Sequence, residues 1–132
     1  MKAWIQRHDL SAENFEFADA STAKKALHDF DWATECRLQA ESKDENAICD
    51  PGFGLLVGDT HILHICPHPE QMCMVHFVFP EKKKLLGFIP ILREATHTWK
   101  DLPLGDADRM IELLFTGDYQ GLANMNPHAR ID

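Results

Sequence analysis

The stretch FGLLVGDTHILHICPHPEQMCMVHFVFP, Phe53 to Pro80, decides how the chain is built, because it holds three apolar runs separated by two reversals. Gly58-Asp59 suits the primed turns that match the right-handed twist of paired strands, so the first two runs read as a hairpin. Pro67 and Pro69 have no N–H to donate to a ladder and mark a second reversal. MCMVHFVFP, residues 72–80, then supplies the third strand of an antiparallel meander.

Downstream, EKKK (81–84) reads as the next turn, and LLGFIPIL (85–92) as a fourth strand weakened by Gly87 and Pro90. LGDADRMIELLFTGDYQGLANM (104–125) opens with acids that favour a helix N-terminus. It places Met110, Ile111, Leu114 and Phe115 at helical spacing, with an end near Gly117 and a short helical turn over 118–125. Upstream, Phe15 and Phe17 alternate, and then Ala23, Ala26, Leu27 and Phe30 recur at i, i+3, i+4 and i+7. That is a helix capped by Asp19 or Ser21 and ending near residues 29–31. Beyond it Trp32, Thr34, Cys36, Leu38 and Ala40 alternate with polar neighbours, which predicts a half-buried strand. ESKDENAICD, residues 41–50, is the most acidic segment and reads as a surface loop.

These elements predict an α+β fold: a mostly antiparallel four- to six-stranded sheet with a central meander, packed with an N-terminal and a C-terminal helix. The 132 residues fit one domain, 1–132, with 45% hydrophobic and 26% charged residues placing the chain among globular sequences. A sheet apolar on both faces needs cover on both. Trp4, Phe15, Phe17 and Trp99 of the flanking segments are the candidates to close the second face.

MKAWIQRHDL lacks the apolar core of a signal peptide, and no stretch approaches the roughly 20 apolar residues of a membrane span, so a cytoplasmic protein is the expectation. Cys36, Cys49, Cys66 and Cys73 are then expected as thiols. A net charge of −8 opposes binding to nucleic acid or anionic lipid through a cationic face.

The chemistry-bearing residues concentrate in 59–76, with four histidines and two cysteines. If Cys66 lies opposite Cys73, then His64, Cys66 and Cys73 share one face, and loop residue His68 completes a set of four zinc donors. A Cys66–Cys73 disulfide and a Cys–His nucleophile are the other readings of the same placement. The spacing contains neither a CxxC nor an HxxxH pair, and buried cysteines with hydrogen-bonded strand histidines account for it without any metal, so no cofactor is expected, with zinc as the alternative. There is no P-loop, GxGxxG, nucleophile elbow or HExxH. The acids at 29, 31, 106 and 108 sit where helix caps favour them.

The order TAKKALHDF, DWATECRLQA, an acidic loop, PGFGLLVGDTHILHICPHP, MVHFVFP and MIELLFTGDYQGL looks like small bacterial immunity proteins that neutralise secreted polymorphic toxins. That resemblance implies a non-catalytic antitoxin, monomeric or homodimeric, that occludes the active site of a cognate toxin with a basic surface. The implied contact set is Glu41, Asp44, Glu45 and Asp50 for electrostatic steering, with Trp32 or Phe53 as the buried anchor. The alternatives are a zinc- or thiol-dependent protein built on hairpin 61–76, and a regulatory or structural subunit of a larger assembly.

Overall fold

A computed structural model describes residues 1–42 and 50–131. The elements run β1 (Lys2–Gln6), β2 (Ala12–Glu16), α1 (Ala20–Asp29), α2 (Trp32–Glu41), β3 (Gly52–Val57), β4 (His61–His68), β5 (Met72–Leu85), β6 (Ile89–Pro103), α3 (Leu104–Thr116) and α4 (Tyr119–Ala123). All six strands form one antiparallel sheet in the order β2-β1-β3-β4-β5-β6. The architecture is α+β, as the meander and the two helical periodicities predict. No described helix is long and apolar enough to cross a membrane.

One face of the sheet carries the core. Ala3, Ile5, Phe53, Leu55, Leu63, Ile65, Val75, Phe77 and Trp99 alternate inward along their strands and are buried, because side chains of a strand change face at every residue. α3 closes this face against β4, β5 and β6, with α1 and α4 beside it. Met110, Ile111 and Leu114 of α3, Ala23 and Leu27 of α1 and Leu122 of α4 join the same cluster. The helix signals work locally. Asp19 caps α1 by accepting from the Thr22 N–H at 2.8 Å, and α3 ends at Gly117 in the left-handed region.

Three expectations are overturned. Residues 32–41 form a helix, not a strand. Asp31 accepts from the Thr34 N–H at 3.1 Å and from its hydroxyl at 2.6 Å, Trp32 Nε1 donates to the Leu27 carbonyl at 2.6 Å, and the buried positions are Trp32 and Glu35, three apart. The alternation of apolar residues there is outweighed by a cap and by good helix formers.

EKKK is not a turn. Lys82, Lys83 and Lys84 lie in β5 opposite Leu92, Ile91 and Pro90, and the chain reverses at residues 86–88, where Leu86 and Gly87 take positive φ of 53° and 82°. Residues 93–103, with no strand expected, continue β6 to Pro103.

The third correction is the register between β4 and β5. Cys73 lies opposite Pro67, and Cys66 opposite Met74. Residues 69–71 close the connection with left-handed φ at Glu70 (68°) and Gln71 (61°), so His68 pairs with Met72 and the assumed pairing is off by one. A slip of one residue exchanges faces.

Candidate functional site: the open face of the sheet

On the face opposite the helices, one rung crosses five strands: Trp4, Gly54, His64, His76 and Thr98 are successive register partners. Gly54 has no side chain, so the Trp4 indole lies across it. A Cβ at Gly54 would stand 2.1 Å from Trp4 Cε2 and Cζ2. The indole then stacks on His64 with centroids 6.2 Å apart and planes 18° apart, and His64 stacks on His76 at 6.2 Å and 16°. Gly52 does for His64 what Gly54 does for Trp4, since a Cβ there would meet His64 Nε2 at 2.3 Å.

The two histidines differ in their partners. His76 Nδ1 is hydrogen-bonded to Thr98 Oγ1 at 3.0 Å. His64 Nδ1 faces Cys66 Sγ at 3.7 Å, while its Nε2 is buried without a hydrogen-bond partner. Burial, and then the neighbouring His76, push the His64 pKa below the usual histidine value, while the Asp50 charge opposes them. Burial therefore favours the neutral form of the His64 imidazole.

The corrected register divides the expected metal set. Cys66 and His64 lie on this open face, as does His68 at the strand end, whereas Cys73 points into the core and is fully buried. The sheet separates the two thiols, so it supports neither a Cys66–Cys73 disulfide nor a four-donor site from His64, Cys66, His68 and Cys73. Among the described residues no group of three or more His, Cys, Asp or Glu is placed to share a metal ion. Burial pushes the Cys73 thiol up to about 12.

The expected partner contacts are also divided. Phe53 is fully buried and Trp32 is 8% exposed, so both belong to the core and neither is free to anchor a partner. Glu41 is exposed at the end of α2 and pairs with Arg37 at 3.3 Å. Asp50 is exposed and accepts from Gln39 Nε2 at 2.5 Å. Asp44 and Glu45 lie outside the described residues.

Two features escape a reading of the sequence. Glu35, 5% exposed, accepts from His8 Nδ1 at 2.6 Å, from the His8 N–H at 3.1 Å and from Arg7 Nη1 at 3.3 Å. These bonds tie the β1–β2 turn to α2, and Arg7 also lies over the Phe30 ring at 5.2 Å. Nothing in the spacing of residues 28 apart announces it.

The other is an arm. β4 accompanies β5 only as far as Val78, so Phe79–Leu85 and Ile89–Ala95 continue as a two-stranded hairpin roughly 20 Å long. Its end exposes Leu86 (77%), Phe88 (72%), Leu92 (69%) and Ile89 (40%) beside Lys82, Lys83, Lys84 and Arg93. The run LLGFIPIL beside KKK is the signal, legible once the reversal is moved to residues 86–88.

Comparison of the chain with protein-family models, with curated proteins and with solved structures gives no match.

Proposed function

We propose that this chain is a non-catalytic binding protein that neutralises a toxin enzyme by occluding its active-site cleft, in the manner of the small bacterial immunity proteins it resembles. The observation that carries the reading is the arm. A two-stranded hairpin is marginal in water on its own, and one that holds four large apolar side chains out to solvent gains by burying them in a partner. A narrow finger is also the shape that fills a cleft.

Charge sets the chemistry of the partner. Residues 80–93 carry four cations against one acid, net +3, so the rest of the chain holds −11 of the overall −8. The partner that complements this distribution has an apolar cleft with an acidic rim for the lysines, set in a surface otherwise basic. The acidic body, including exposed Glu41 and Asp50, steers the approach, while Phe88 and Leu86 supply the buried contact.

The test is capture from a lysate of the source cell, identification by mass spectrometry, and titration of the captured enzyme's activity. One basic effector enzyme, inhibited at one-to-one stoichiometry, supports the proposal. Leu86→Asp with Phe88→Asp then lowers affinity by about 30-fold or more while leaving the fold intact, the two apolar anchors together being worth about 2 kcal/mol or more. Glu41→Lys with Asp50→Lys slows association and weakens its salt dependence. An inhibitor whose affinity ignores both variants, or the absence of any captured effector, refutes it.

A further inference from the structure

The open face carries a second pattern, independent of the arm. Three successive cross-strand pairs of β4 and β5 lie on it: His64 with His76, Cys66 with Met74, and His68 with Met72. Every one of these six side chains carries a nitrogen or sulfur donor. We propose that Cys66, His64 and Met74 form a binding site for a soft monovalent cation, Cu(I).

The geometry begins with the contact of 3.7 Å between Cys66 Sγ and His64 Nδ1. At first-row metal bond lengths like those of zinc, about 2.3 Å to sulfur and about 2.0–2.1 Å to an imidazole nitrogen, an ion spans that distance when the angle at the metal is about 120°. That is a trigonal angle, and it calls for one more donor. Met74 is the direct partner of Cys66 across the ladder, and opposed side chains on one face start about 4.5–5.5 Å apart at Cβ, within reach of a thioether.

Donor chemistry selects the ion. Thiolate and thioether sulfur prefer Cu(I), whereas a structural zinc takes four ligands, and the next ring, His76, is stacked on His64 and hydrogen-bonded to Thr98. Charge selects it too. Cys66 is 2% exposed, and a thiolate with a monovalent ion is a neutral pair, while a divalent ion leaves a net positive charge out of water. Binding exchanges the S–H proton of Cys66, released to solvent, for the metal–sulfur bond, with no change in oxidation state. The half-buried His68, Met72 and Met74 give the ion a path of soft donors from solvent.

The test is an anaerobic titration of the whole chain with Cu(I) against bicinchoninate as competing chelator. Cys36→Ser and Cys49→Ser are introduced first, which leaves core-buried Cys73 as the one thiol besides Cys66. One equivalent of Cu(I) held against the chelator, with sulfur-to-metal absorption in the ultraviolet, is expected. Cys66→Ala abolishes it, and Met74→Leu, which conserves volume, weakens it by about tenfold or more. Zn(II) does not displace it. Failure to retain one equivalent, retention in folded Cys66→Ala, or an unchanged affinity in Met74→Leu overturns the proposal. None of these outcomes depends on whether the arm binds an enzyme.

Discussion

Substituting Gly54 with alanine tests whether the open face is ordered by the two glycines beneath it. The new Cβ would stand 2.1 Å from Trp4 Cε2 and Cζ2, whereas carbon atoms in contact sit about 3.5–4.0 Å apart, so the indole must rise by about 1.5 Å. Overpacking of this kind costs about 1–3 kcal/mol. The backbone at Gly54 does not need a positive φ, so alanine also returns about 0.4–1 kcal/mol by restricting the unfolded chain. Trp4 is half-buried and can swing outward, which limits the penalty; a net loss of about 1–2 kcal/mol is expected. The decisive measurement is a double-mutant cycle by urea unfolding, followed by far-ultraviolet circular dichroism. With Trp4→Ala in place the steric conflict disappears, and Gly54→Ala should stabilise by about 0.4–1 kcal/mol. The sign therefore inverts between the two backgrounds. An equal effect in both, or stabilisation of the otherwise unaltered chain, refutes the packing of Trp4 over Gly54.

Other substitutions read other parts of the fold. Burial raises the Glu35 pKa, but the hydrogen bonds from the His8 side chain and backbone, with the charges of His8 and Arg7, hold it below its ordinary 4.5. Its contribution is present above the unfolded value and is lost as pH falls through the folded one. Glu35→Ala should cost about 2–3 kcal/mol at pH 7, since the partners it leaves are only partly buried and regain water, and the stability lost on acidification below about 4.5 should shrink in the variant. An unchanged acid limb in urea unfolding contradicts this. Cys73, fully buried with its pKa pushed up to about 12, should resist a disulfide reagent at pH 8 until the chain unfolds, while half-buried Cys36 reacts ahead of it; rapid native modification of Cys73, mapped by mass spectrometry, would be inconsistent with its place in the core. Asp31→Ala should destabilise by about 1 kcal/mol by uncapping α2, and an unaffected midpoint in thermal unfolding would argue against that cap.

The hairpin around Gly58-Asp59, α1 and α3 are legible in the residues because each is specified within its own span: a turn dipeptide, a capping aspartate, an apolar stripe repeating every three to four residues. α2 is not. Its apolar residues alternate, and the choice of helix rests partly on contacts distant in sequence, those of Glu35 with Arg7 and His8. KKKLLGFIPIL misleads for a different reason. Lysines read as a turn when a strand is assumed to have a buried face, but the arm has solvent on both sides and tolerates them in a ladder.

The candidate site follows the same division. The sequence alone determined that His64, Cys66, Cys73 and His76 sit on two adjacent strands, and that the chain is acidic with a basic run at 82–84. Only the tertiary structure decided which of them share a face. That choice turns on the parity of a three-residue connection, and strand side chains alternate with a period of two, so one residue moves Cys73 into the core and leaves Met74 beside Cys66. The partner residues divide likewise. Periodicity places Phe53 in a strand without saying which face is covered, and α3 packing against that sheet makes it core. The exposure of Leu86, Phe88 and Leu92 is settled by where β4 ends relative to β5, a relation between two strands that neither one's residues contain.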